Sequence, residues 1–550
     1  MPLRFVEPAA EAHAFPLTIG QLLNGCMRTS RGNEIVYRDQ FRMTYAEFRT
    51  RLGRLASGLT ALGAEEGTTV AVMDWDSHRY LECYFAVPMM GAVIQTVNVR
   101  LPPAQVVMTL AQARAEIILV HRDFLPLLEA ALPNLPAVKA VVLIADGAET
   151  PLPAYGAAEY EGMVAGASPD YPFRDFDENA VATTFFTTGT TGGPKAVSFT
   201  HRQLVLHTLA NCGPFGATRS RGFGVDDVYM PLTPMFHVHA WGVPYLATML
   251  GLKQVYPGRY EPGTILDLRA REGVTYSHCV PTIMQMLLTA ADKRGDDLSG
   301  WMMTIGGSAL TSALCHEGRR RGMHVTAGYG MSETCPTISQ AHVFASDPPD
   351  DEAEVTTLTM AGTPVPLVAA RIVDDAMCDL PADGKSQGEL VLRAPWLTPS
   401  YVGDAPASDE LWRGGWLHTQ DVACMNPDGS IRIRDRLKDI IKSGGEWLCS
   451  VTMEDIIADL MEVGEVAVVG VPDPHWGERP VAVVVPVAGT PITVERVNAR
   501  LDEVIATGEL SRYARVARVE TVDALPRTSV GKIDKKTLRL TLATQDTEAA

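Results

Sequence analysis

The chain has 550 residues, 46 % hydrophobic and 20 % charged, with a net charge of −18. That length is too great for one hydrophobic core and calls for two or more domains. The acidic balance argues against a nucleic-acid binder, which needs a basic face for phosphates, and against attachment to an anionic membrane by charge alone. Nine cysteines are scattered without a CxxC pair, which reads as reduced thiols in a cytoplasmic protein. The opening MPLRFVEPAAEAHAF has no apolar stretch of signal-peptide length, and no apolar run is long enough to span a membrane.

From the N-terminus, Thr44-Tyr45-Ala46-Glu47 fits a capping box. Phe48, Leu52, Leu55, Leu59 and Leu62 follow at steps of four and three until Gly63, so an amphipathic helix is expected. TTVAVM (68–73) reads as a buried strand, 80–93 as a helix, and IILV (117–120) and AVVLIAD (140–146) as further strands. Strands alternating with helices predict an α/β architecture with largely parallel sheets. Residues 147–177 read as a surface connection, and SDPPDDEAE (346–354) as a solvated loop. VAVVGVPD (466–473), RPVAVVVPV (479–487) and TVERVNARLDEVI (493–505) suffice for a small separate α+β unit, and the tail from Thr541 is expected to fray.

FTTGTTGGPK (186–195) puts hydroxyls and glycines in front of one lysine. Such a loop offers N–H groups and hydroxyls to phosphate oxygens, with the lysine as point charge. It is not a Walker A loop, because Pro194 precedes Lys195 and Ala196 follows it. A polar surface loop is the plain alternative.

Five further stretches decide between these. They are PLTPMFHVHAW (231–241), GGSAL with AGYGMSETCP (306–310, 327–336), WLHTQDVA (416–423), IRDRLKDIIKSGGEW (433–447) and PRTSVGKIDKK (526–536). Together, and in this order, they resemble the motifs of the acyl-adenylate-forming superfamily. The departures are Thr188 for a usual Ser, Ala196 for Gly and Gln420 for Gly; Gln420 is tolerable where its side chain points outward.

The resemblance implies ATP, Mg2+ and the co-substrate coenzyme A. It implies two half-reactions: a carboxylate attacks the α-phosphorus of ATP, then a thiolate attacks the acyl-adenylate. Both build negative charge, which positioned cations and donors stabilise. Implied catalytic residues are Lys532, Glu333 and His237. Implied nucleotide contacts are Thr187, Thr188, Gly189, Thr190, Thr191, Gly192, Lys195, Gly307, Ser308, Gly328, Tyr329, Gly330, Met331, Ser332, Thr334, Asp421, Arg436, Lys442 and Trp447. Thr188 and Glu333 are the implied metal contacts, and Lys438 the hinge. The plain alternatives are a surface lysine for Lys532, a helix-cap partner for Glu333 and a strand-surface arginine for Arg436. His237 and His239 alone rarely make a metal site.

Within the superfamily, IKSGGEW and FHVHAW resemble bacterial medium- and long-chain fatty-acyl-CoA synthetases, which are commonly homodimers. Trp241 is then an indole gating the acyl tunnel, or else a core tryptophan. Val280, Pro281, Thr282, Gly307 and Tyr329 are further wall candidates, and none of these holds a second carboxylate. Ligases for short thioether acids or for aryl and alicyclic acids remain open, as does an enzyme that loads a carrier protein. The implied fold is α/β: a large N-terminal region of several subdomains with mixed and parallel sheets (1–437), and a small mobile C-terminal α+β domain (438–550).

Overall fold

In the computed structural model, residues 3–30, 32–147, 150–187, 193–215, 224–343, 351–487, 490–508, 510–528 and 532–549 are described. The capping box forms: Thr44 Oγ1 accepts the Glu47 N–H, and the Glu47 carboxylate accepts the Thr44 N–H at 2.7 Å. The helix Tyr45–Ala61 buries Phe48, Leu52, Leu55 and Leu59. The strand Thr69–Met73 sits inside a seven-stranded sheet with Ala158–Glu159, Ala140–Ile144, Ile117–His121, Val93–Thr96, Val181–Phe186 and Ala196–Thr200. Its pairs are parallel except the last, between Val181–Phe186 and Ala196–Thr200. Parallel strands are covered on both faces, and every residue of Ile117–His121 and Ala140–Ile144 is buried accordingly.

A nine-stranded sheet lies beside it, parallel from His324–Gly330 through Met302–Ile305, Tyr276–Cys279, Val228–Pro231 and Lys253–Tyr256 to Glu34–Tyr37. Its outer strands Thr337–Gln340, Thr363–Pro364 and Phe41–Thr44 run antiparallel to their neighbours. A four-stranded antiparallel sheet follows, Ala369–Val373, Gly388–Arg393, Leu417–Met425 and Ile431–Arg436. The last sheet is built around the long hairpin Val463–Asp473 and Gly477–Pro486. Two apolar clusters around it contain only residues from 441 to 542 among their buried members. A third, small cluster of Val422, Ile440 and Cys449 joins this unit to the preceding sheet. Among the described residues no helix is long and apolar enough to cross a membrane.

Three expectations are corrected. Residues 147–177 are not only a surface connection: they hold the strand Ala158–Glu159 and the helix Tyr160–Gly166, whose Tyr160 is buried and donates to Glu82 at 2.6 Å. Short elements carry too little periodicity to read from sequence. This one is held by close approach, because a Cβ on Gly53 would lie 2.0 Å from the Pro169 carbonyl oxygen. Gly53→Ala is therefore expected to lower stability by about 1–3 kcal/mol through forced backbone movement. An unchanged urea midpoint would show that the segment yields freely.

The second half of the expected loop 346–354 belongs to the helix Asp351–Leu358, whose first-turn acids suit a helix N-terminus and whose Val355 is buried. The tail continues the helix Lys535–Ala549, with Leu538 and Leu542 buried against the valine-rich hairpin at a spacing of four.

Candidate active site

One cavity of about 1600 Å3 lies where these units meet, at the C-terminal ends of parallel strands, as open α/β sheets favour. The hairpin Val181–Phe186 and Ala196–Thr200 brings Thr187 and Lys195, at the two ends of the Gly/Thr stretch, to it. Thr187 and Lys195 close the loop's ends: the Thr187 N–H donates to the Lys195 carbonyl at 2.8 Å, and the Lys195 N–H to Thr187 Oγ1 at 3.3 Å. Thr188, Gly189, Thr190, Thr191 and Gly192 lie outside the described residues. Lys195 Nζ stands 4.6 Å from the Tyr401 ring centroid, and the Tyr401 hydroxyl donates to Glu333 Oε1 at 2.6 Å. Glu333 is buried, and burial raises its carboxyl above the ordinary range, opposed by Tyr401. A buried carboxylate suits a hard cation.

Across the cavity, antiparallel register puts Asp421 opposite Arg436. Arg436 Nε is 3.4 Å from Asp421 Oδ1, and the Tyr329 hydroxyl donates to Asp421 Oδ2. Burial raises the Asp421 carboxyl, with Arg436 the main opposing charge. Gln420 takes φ +58°, which explains why a glycine suits this position; its side chain is exposed, and its N–H donates to Glu389.

Lys532 projects in from the C-terminal unit. Its turn is closed by the Lys532 N–H on Thr528 Oγ1 at 3.2 Å and the Thr528 N–H on the Lys532 carbonyl at 2.7 Å. Burial, then Arg436, pushes Lys532 down to about 8, against the pull of Asp421 and Glu333. Gly307 takes φ +77°, and a Cβ there would sit 3.2 Å from Val280 Cγ1 and 3.5 Å from Lys532 Cε, so the lysine packs directly over this glycine. His237 is pushed down to about 3 by burial and then by Lys532, and is neutral near pH 7. The Trp241 indole packs on His278 with centroids 5.0 Å apart, and a Cβ on Gly306 would lie 2.9 Å from its edge.

Thr187, Lys195, His237, Trp241, Val280, Pro281, Thr282, Gly307, Ser308, Gly328, Tyr329, Gly330, Met331, Ser332, Glu333, Asp421, Arg436, Lys438 and Lys532 all line this cavity. Three expected contacts do not. Thr334 is fully buried and turns into its own loop, where its hydroxyl bonds the Met331 and Pro336 carbonyls. Lys442 and Trp447 lie exposed on the hairpin Ile441–Ser443 and Glu446–Leu448, the ammonium 5.5 Å from the indole ring. Tyr401 and His278 were missed. Each stands far in sequence from the group it touches, and a lone tyrosine or histidine carries no local signal.

Buried carboxylates and an inserted lysine around one cavity, with Thr187 and Lys195 at its edge, are the setting of an acid-activating enzyme. The chain belongs to the AMP-binding enzyme family, whose model matches residues 26–402, with the AMP-binding enzyme C-terminal domain matching 452–532. Within it, the chain is an AMP-forming acid–CoA ligase. It is 39 % identical over 502 residues to the long-chain-fatty-acid–CoA ligase of Thermus thermophilus, covering 90 % of each chain. It is 36 % identical to the 3-methylmercaptopropionyl-CoA ligase of Ruegeria lacuscaerulensis (95 % of this chain, 97 % of the relative). It is 34 % identical to the medium-chain-fatty-acid–CoA ligase of Ectopseudomonas oleovorans (95 % of each). An anthranilate CoA ligase, AuaEII, solved with anthranoyl-AMP, has the same fold, with a TM-score of 0.84 at 23 % identity (96 % of this chain, 99 % of that one).

Proposed function

We propose that the chain joins medium-chain to long-chain monocarboxylic fatty acids to CoA. The observation that carries this is the wall around Trp241. Val238, Val243, Val280, Gly306 and Gly307 line it, Lys532 stands at its mouth, and none of these wall residues is an arginine or lysine that would hold a second carboxylate. The relatives' fatty-acid substrates support it.

In the first half-reaction the acid's carboxylate oxygen bonds to the α-phosphorus of ATP and the bond to pyrophosphate breaks. Lys532 holds the carboxylate against the α-phosphate, Thr187 and Lys195 with the loop between them hold the outer phosphates, and Asp421 and Arg436 orient the ribose. Neutral His237 borders the carboxylate's seat. Glu333 is the carboxylate to which Mg2+ would bind; its burial, with the Tyr401 hydroxyl as its side-chain donor, fits that ion, which when bound neutralises charge on the phosphates. In the second half-reaction the CoA thiolate bonds to the acyl carbon and AMP leaves. The C-terminal unit, 438–550, turns about Lys438 between the two, withdrawing Lys532 and bringing Lys442 and Trp447 to the cleft. A cytoplasmic location goes with this reading, supported by nine unpaired cysteines. So does pairing into homodimers, for which the exposed Leu3, Phe5 and Val6 offer apolar surface.

The test is acid-dependent AMP release with ATP, Mg2+ and CoA across straight-chain, thioether, alicyclic and aryl acids. An optimum on medium or long straight chains, strictly dependent on CoA, is expected. An optimum on a short thioether acid would replace the substrate. That second reading is favoured by polar His207, Asn211 and Gln340 in the same cavity. Pyrophosphate release without AMP release on adding CoA would move the acceptor to a carrier protein.

A further inference from the structure

Val238, His239, Ala240, Trp241 and Gly242 have φ of 46°, 54°, 47°, 59° and 75°. Four of the five bear side chains, and L residues avoid a left-handed turn because Cβ crowds the next carbonyl oxygen. Such a turn persists only where its surroundings over-determine it. It stands between His237 and the indole of Trp241, so its geometry sets where both meet the acid.

Its anchors come from the other large sheet. The Met235 N–H donates to Asp76 Oδ1 at 2.8 Å, and the Met235 carbonyl accepts the Tyr84 hydroxyl. The Phe236 carbonyl accepts from Thr96 Oγ1 at 3.0 Å, and His239 Nε2 pairs with Thr183 Oγ1 at 2.9 Å. Asp76 is the acceptor in this set that holds a backbone N–H. It is 3 % exposed, in the loop that leaves the strand Thr69–Met73. Its other oxygen accepts from the Tyr260 hydroxyl, and its own carbonyl accepts the Gly258 N–H at 2.9 Å. Arg100 supplies a nearby positive charge and packs on the Phe236 and Tyr260 rings. One carboxylate thus ties the C-terminal end of a strand in one sheet to the loops after two strands of the other.

We propose that Asp76 is a positioning residue for the acid site, fixing through Met235 the left-handed turn that presents His237 and Trp241 to the substrate's carboxyl end. This rests on the reading that these two residues border the acid. A buried carboxylate serves here because the Met235 N–H, at the entry to the turn, must be held in a fixed place, a demand that a side chain without an acceptor does not meet.

The test uses the full-length enzyme and compares Asp76→Ala, Asp76→Asn and Tyr260→Phe, with acid and ATP varied separately. Asp76→Ala should cut kcat/KM for the preferred acid by about 10²-fold, the scale of a misplaced reacting group. It should flatten the preference among chain lengths and leave KM for ATP within about twofold. Asp76→Asn keeps an oxygen for the Met235 N–H and should recover most of the loss and the chain-length profile. Tyr260→Phe keeps the carboxylate and loosens its other side. It should raise acid KM by a few-fold with the same insensitivity to ATP, and it decides the matter if Asp76→Ala fails to fold. Equal losses toward acid and ATP, an unaltered chain-length profile, or Asp76→Asn as impaired as Asp76→Ala would each overturn the proposal. The comparison is made with whichever acid the parent enzyme prefers, so an error in the acid's class shows in the parent and not in the variants.

Discussion

Lys532→Ala is expected to lower acyl-adenylate formation by on the order of 10²–10³-fold, the scale seen when one preorganised charge is removed from a developing anion. The lysine stands against Gly307, beside His237, and shares its cavity with Asp421, Arg436 and Glu333. A cation in a partly closed site costs no reorganisation as charge builds, whereas water drawn in by alanine must reorient. Thioester formation from chemically prepared acyl-adenylate should change only a few-fold, because no new bond to phosphorus forms there. Single-turnover measurement of each half separates the two, and equal loss in both would remove Lys532 from the first step.

The same lysine gives adenylation a pH dependence with a definite sign. Burial and Arg436 bring Lys532 down to about 8, so the free enzyme carries the charge below that pH and loses it above. Acid-dependent kcat/KM for pyrophosphate release should therefore fall on the alkaline side with a midpoint near 8, since that ratio reports the free enzyme. Lys532→Arg stays charged there and should be slower but free of this limb. An alkaline limb unchanged in the arginine variant would assign it to another group.

Lys438→Pro is expected to spare adenylation within a few-fold and to slow the thioester step by on the order of 10²-fold, the scale of a catalytic group held out of place. The chain passes from Ile431–Arg436 to Ile441–Ser443 through a turn in which the Asp439 and Ile440 N–H groups both donate to the Arg436 carbonyl. Proline fixes φ near −65° and takes away the swing. Contacts across the turn combine the small apolar cluster of Val422, Ile440 and Cys449 with polar ones: Ser450 donates its N–H and hydroxyl to Asp435, and Cys449 Sγ lies 3.5 Å from Gln387 Oε1. Such a junction costs little to break and remake, as an alternating unit requires. Loss of both half-reactions together would mean that the substitution damages the fold and not the motion.

Long periodic elements and short motifs were legible from residue order. The helix Tyr45–Ala61 carries its own cap and stripe, and the strands Thr69–Met73 and Ile117–His121 are apolar runs bounded by turns. The Gly/Thr stretch, Asp421, Arg436 and Lys532 were singled out by the resemblance of short motifs to the acyl-adenylate-forming superfamily, a signal that local residue order carries. Other features depend on partners far along the chain. The helix Tyr160–Gly166 and the residues just after it lie close because Gly58 of the facing helix admits Met163 and Gly53 admits Pro169. Tyr401 meets Glu333 across 68 positions, and Thr334 turns away from the cavity because two backbone carbonyls claim its hydroxyl. The left-handed turn before Trp241 runs against the preference of its own residues, and long-range hydrogen bonds from Asp76, Tyr84, Thr96 and Thr183 hold it. Local propensity and spacing act over a few residues, and packing between distant segments overrides them where a buried polar group finds its partner.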